Sequence, residues 1–214
     1  MTIVKKIGLK SSDKEKIVEQ VIKNPECLPE IIEGLHAKKG AVKFGCEKVL
    51  RLVSEKKPEL VYPFFDVFAA LLDSENNFLK WGAILTVANL TVVDSENKFE
   101  KIFEKYYAPV TGPAVVTAAN IMSGSVVIAG AKPELLNYIT RKILKVEQAQ
   151  YRHHGKLSPE CYNVACGHAI HYFHEVFNNI EDKEKVAIFV KNQLENTRKP
   201  VVKKAIKFLK KYAV

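Results

Sequence analysis

Residues 113–132 read PAVVTAANIMSGSVVIAGAK, and from 106 to 131 no side chain carries a charge. Three architectures could produce such a stretch: a membrane span, a glycine-rich nucleotide loop, or the buried middle of something larger. A span needs about 20 predominantly apolar residues. Here Thr117, Asn120, Ser123, Gly124 and Ser125 interrupt the run, and no cluster of aromatic anchors follows it. A G-x-G-x-x-G loop follows a strand, yet Gly124 and Gly130 are six apart and no strand pattern precedes them. The third reading requires equivalent segments on either side.

Such segments recur. The pattern apolar–x–x–small–small runs from Val42 to Cys46, Leu79 to Ala83, Val115 to Ala119 and Tyr162 to Cys166, with a weaker copy from Val201 to Ala205. Its copies start 37, 36, 47 and 39 residues apart, and the fifth position is always Ala or Cys. Between them Lys57-Pro58-Glu59-Leu60 matches Lys132-Pro133-Glu134-Leu135, and Asp73-Ser74-Glu75-Asn76 matches Asp94-Ser95-Glu96-Asn97. Self-similarity at this period marks a repeat architecture.

The unit is a helical hairpin. In residues 42–53 the apolar stripe is Val42, Cys46, Val49, Leu50 and Val53, which is helical spacing. Small residues in the stripe let a neighbouring helix come close. Pro25, Pro58 and Pro133 suit the first turn of a second helix, where a missing N–H costs nothing. Asp73 or Ser74, and Asp94 or Ser95, are placed to cap the next helix. Eleven helices are predicted: 13–23 with 28–38, 41–56 with 58–72, 77–92 with 96–108, 113–130 with 133–147, 159–178 with 182–195, and a capping helix 199–212. The fold class is all-α, one domain over 1–214, with residues 113–130 inside a central repeat and largely covered by neighbours.

These five copies in register resemble HEAT repeats, within the armadillo-like class of α-solenoids, over roughly residues 13–212. The resemblance implies a right-handed α–α superhelix whose second helices line a concave face. It departs from the family pattern after the first apolar position, where Lys43 and Lys80 are basic but Val116, Asn163 and Val202 are not.

Composition sets outer bounds. The 214 residues are 47% hydrophobic and 27% charged, as in soluble globular proteins. The lysine-rich N-terminal stretch lacks the apolar core of a secretory signal. Cys27, Cys46, Cys161 and Cys166 show no C-x-x-C spacing, so a reduced, cytoplasmic setting is expected. The net charge of +9 belongs to the two ends. Residues 199–214 hold six lysines and no acid, residues 1–16 hold five lysines and two acids, and the rest balances. A high isoelectric point therefore says little about nucleic acid here.

Projection at 100° per residue assigns outward positions on the second helices. They are Tyr62 and Asp66, then Lys101 and Lys105, Arg141 and Lys145, and finally Lys185 and Asn192. From the third pair onward this row is mostly basic, suited to an acidic peptide or a phosphate backbone, although a charged helix face is also ordinary solvated surface. HEAT-like alkylpurine DNA glycosylases place a carboxylate and aromatics in a basic concave cleft. The resemblance thus allows Asp66 beside Tyr62 as a stabiliser of a cationic sugar, but no motif of that family matches residue by residue.

The 47-residue interval implies about ten inserted residues, which fall in 147–158. Tyr151, Arg152, His153, His154 and Lys156 are candidates for a recognition element there. Five of the six histidines lie in 153–174, and pairs among His168, His171 and His174 could each give a metal two ligands. A third is missing, so no metal or other cofactor is expected. Cys46 and Cys166 occupy the small repeat position and read as inert core thiols. Helix 199–212 reads as a basic, amphipathic end cap. The function expected is a non-catalytic scaffold with a protein partner, and the alternative is a nucleic-acid-binding protein.

Overall fold

Proline placement explains several helix boundaries in the computed structural model, which describes residues 2–214. Pro58 and Pro159 sit in the first turns of α-helices, while Pro25 and Pro133 open single 3-10 turns that lead into helices. The predicted helix 58–72 is divided, because Pro63 removes a donor and its ring crowds the preceding turn. A four-residue helix, a 3-10 turn over 62–64 and a second helix take its place.

The protein is all-α, with thirteen α-helices among the described residues. They are α1 (Ile3–Ile7), α2 (Lys14–Lys23), α3 (Leu28–Glu33), α4 (Gly40–Lys56), α5 (Pro58–Val61), α6 (Phe65–Leu71) and α7 (Asn77–Leu90). Then follow α8 (Lys98–Tyr107), α9 (Val115–Ala131), α10 (Leu136–Leu144), α11 (Pro159–Val176), α12 (Lys183–Asn192) and α13 (Lys199–Tyr212). Two helices more than the eleven predicted come from the split at Pro63 and from α1. Several second helices are shorter than expected because their last turns tighten to 3-10, as at 145–148 and 193–195.

Contacts gather the chain into two units, Met1–Ile102 and Phe103–Val214, with the division inside α8. In the first unit α4 packs against α2 on one side and α7 on the other. The small motif residues make this possible. A Cβ on Gly45 would lie 2.6 Å from Ile7 Cγ2, and one on Gly82 would overlap the Glu47 carboxylate. Glu47 is paired with Arg51 at 3.2 Å, and burial pushes its carboxyl up, partly offset by that arginine. Asp94 caps α8, accepting from the backbone N–H groups of Lys98 and Phe99. Its near neighbour Asn97 has φ 52°, the turn that lets the chain enter the helix.

In the second unit α11 packs between α9 and α13, and α10 touches both α9 and α11. The chargeless helix α9 buries Ala118, Ile121, Met122, Ser125 and Ile128. Tyr107 and Ser125 share a buried hydroxyl contact at 3.0 Å, which satisfies both. Its other face is not covered: Val116 and Val127 are exposed, along with Ser123 and Gly130. Absence of charge on α9 therefore reflects coverage on one side and small or neutral residues on the other. No helix of the described residues is long and apolar enough to cross a membrane.

Candidate functional site

Two short helices of the second unit build a groove. On α10, Leu136, Ile139 and Ile143 are buried, which turns Tyr138 and Arg141 outward, and exposed Lys145 opens the 3-10 turn that follows. On α12, Val186, Ala187, Phe189 and Val190 are buried, which turns Lys185, Ile188 and Asn192 outward. Arg141, Lys145 and Lys185 line one cavity of about 350 Å³ with Leu144, Ile188, Phe189, Glu147 and Gln148. Its cations thus surround an apolar floor. Tyr138 and Ile188 are 56% and 52% exposed, high for side chains of their size. The Arg141 guanidinium lies 4.7 Å from the Tyr138 ring centroid, a cation–π contact that holds both in place. Lys185 is also 2.8 Å from Asp182, but both are well exposed, and such pairs hold side chains only weakly.

Glu147 also lines a neighbouring polar cavity of about 310 Å³, shared with Asn163, Asn192, Gln193, Asn196 and Thr197. Asn163 donates to Thr197 Oγ1 at 2.8 Å and accepts from Asn196 at 3.1 Å. Asn196 also donates to Gln193 at 2.9 Å. This amide network fixes the end of α12 against α11. The groove is thus cationic and apolar at one end and amide-rich at the other.

Structure separates the other predicted positions. Tyr62 donates its hydroxyl to Asp94 at 2.6 Å, and Lys98 lies 5.1 Å over its ring. Burial, then the Asp94 contact, pushes that phenol up to about 12. Tyr62 is a brace for the α8 cap more than a free recognition ring. Asp66 is exposed on α6, and Lys101 and Lys105 lie one turn apart on α8.

The inserted segment is a tight hairpin. Arg152–His153 pairs antiparallel with Lys156–Leu157. His154 and Gly155 at its tip have φ 49° and 77°. Positive φ at both central residues belongs to a type I′ turn, which matches the twist of the flanking strands. Tyr151 is buried and not a surface recognition residue; its hydroxyl donates to the Val110 carbonyl at 2.6 Å. Arg152 N–H donates to the Pro113 carbonyl at 2.9 Å. The hairpin is thereby stapled at its base, while Arg152, His153, His154 and Lys156 are exposed. The His-Gly turn signal was present in the sequence.

No group of three or more His, Cys, Asp or Glu side chains among the described residues could hold a metal ion. All four cysteines are free, and burial pushes the Cys46 and Cys166 thiols up to about 11, so neither is a ready nucleophile. Sequence projection found the three cations of the groove. It missed Tyr138, Leu144 and Ile188, whose signal was an apolar residue one helical turn from each outward lysine or arginine.

No protein-family model matches the chain, and no curated protein matches it. Among solved structures, the crystal structure of an engineered protein, a structural-genomics target, is similar at a TM-score of 0.56 and 12% identity. The similarity covers 97% of this chain and 95% of that one. At this identity it shows the all-α fold alone.

Proposed function

We propose that this protein is a non-catalytic interaction module of the HEAT-repeat type, and that the groove between α10 and α12 takes an acidic, amphipathic segment of a protein partner. The observation that carries this reading is the coincidence of Arg141, Lys145 and Lys185 with exposed Ile188 and half-buried Leu144 in one cavity. A phosphate backbone would use the cations and leave the apolar floor unmatched. A peptide with acidic residues flanking one apolar anchor uses both. Binding hot spots favour such anchors, and rim charges steer the encounter.

The test is a pull-down with the full chain, followed by peptide mapping of what is retained. Arg141→Glu and Lys145→Glu together should abolish capture of acidic segments. Both residues are exposed, so folding should change by less than about 0.5 kcal/mol. Ile188→Asp should weaken capture without altering its salt dependence as strongly. Nucleic acid is the competing class. Retention of generic duplex DNA with a steep salt slope, lost in the same double variant, would replace this reading. An interaction module of this type needs no cytoplasmic enzyme chemistry, and the Asp66 glycosylase alternative is tested by Asp66→Asn on alkylated DNA.

A further inference from the structure

A third cavity of the second unit, about 230 Å³, lies between α11 and α13. It is lined by Ile170, His171, His174 and Glu175 from α11, and by Lys204 and Lys207 from α13. The Lys204 ammonium donates to the Gly167 carbonyl at 2.9 Å, which brings it onto the face of α11. Neither lysine has a carboxylate partner among the described residues. The one acid, Glu175, is turned to the imidazoles: its Oε1 is 3.3 Å from His174 Nδ1 and 3.9 Å from His171 Nδ1. Only the His174 ring is within hydrogen-bond reach of it, and it forms no ion pair with either lysine. His174 Nε2 is buried with no hydrogen-bond partner, so the wall has polar capacity to spare. Burial, then Lys204 and His171, hold the neighbouring His168 imidazole below its ordinary range. Burial, then Arg198, does the same to the Lys204 ammonium. Burial is the larger cause of both, and the positive neighbours add to it.

The walls are fixed. Tyr212 donates its hydroxyl to the His174 carbonyl at 2.5 Å, and Phe177, Phe208 and Tyr212 pack ring on ring behind it. A cation is excluded by the two lysines. The cavity is smaller than the ~300 Å³ at which drug-sized pockets begin, so it suits one compact group.

We propose that this cavity binds a phosphate group, with the Lys204 and Lys207 ammonium groups and the His171 ring as donors to its oxygens and Ile170 against the ester side. The geometry rests on α11 and α13 alone and is independent of the groove between α10 and α12.

The experiment follows the histidine ring protons of the full chain by NMR during titration with inorganic phosphate, at fixed pH and ionic strength. The expected result is saturable shifts at His171 and His174, with His153 and His154 unmoved as internal controls. Lys204→Gln with Lys207→Gln should weaken the affinity by roughly tenfold, since each lost charge-assisted hydrogen bond is worth about a factor of ten or less at a partly exposed site. Lys207→Gln alone, which removes no intramolecular contact, should weaken it severalfold and guards against misfolding of the double variant. Butyl phosphate forms the second arm: tighter binding than phosphate assigns the group to an ester, and equal binding assigns it to the free ion. Linear shifts, shifts equal at His153, or affinity untouched by Lys207→Gln would overturn the site.

Discussion

The fourth position of the repeat motif is glycine in both copies of the first unit and alanine in the first two copies of the second, with Lys204 in the weaker last copy. Gly45 and Gly82 serve α4 and α7; Ala118 and Ala165 serve α9 and α11. The glycines face occupied space. Ile7 fills the site of a Cβ on Gly45, and the paired Glu47 fills that of one on Gly82. The alanines are fully buried and evidently accommodated. One sequence pattern therefore codes for two seam types: a close one through which a neighbour's side chain crosses the helix backbone, and a wider one filled by methyl groups.

Substitutions can break or sharpen this contrast. The largest effect is expected for Gly45→Val, because the new side chain meets both Ile7 Cγ2 and, at 3.1 Å from the Cβ, the Ile7 carbonyl. Overpacking against backbone should cost about 3 kcal/mol, read as a fall in the urea midpoint of the first unit at constant slope. Next is Gly82→Ala. It drives the Glu47 carboxylate from Arg51, and a part-buried charged hydrogen bond lost this way should cost about 1–2 kcal/mol after the gain in helix propensity. Ala165→Gly should cost about 1 kcal/mol, from propensity and a lost methyl contact. If Gly82→Ala proves stabilising, or Ala165→Gly neutral, the two seams do not differ as described.

The smallest effect is expected at Gly167→Ala. There the nearest atom to a Cβ is Val201 Cγ2 at 3.2 Å, so the buried valine must shift by only a few tenths of an ångström. Propensity and crowding should cancel to within about 0.5 kcal/mol. A loss as large as that of Gly45→Val would mean that the α11–α13 seam is as close as those of the first unit.

Legibility followed the same physics. Residues 199–212 were predicted as a helix and α13 spans Lys199–Tyr212, because a polar run with a single apolar side and a proline in its first turn has one stable solution. Residues 58–72 read as one helix because their apolar spacing is helical on both sides of Pro63, and periodicity alone does not register a missing N–H. Arg141, Lys145 and Lys185 were found by projection, since angular position on a helix is local information. The inserted segment predicts Tyr151 outside, and it lies inside. Its burial depends on the Val110 carbonyl, 41 residues away in the chain. Tyr62 was expected as an open recognition ring and is engaged by Asp94 for the same reason.

The sequence by itself determined that the chain is helical, where most helices begin, and which residue in each is small. Those properties are set within one or two turns by backbone sterics, capping and apolar spacing. Only the tertiary structure decided which side chain crosses which glycine, which cations meet over an apolar floor, and which tyrosines are braces. Such outcomes depend on the separation of helices distant in the chain, and a separation of an ångström is fixed by packing and not by any local pattern.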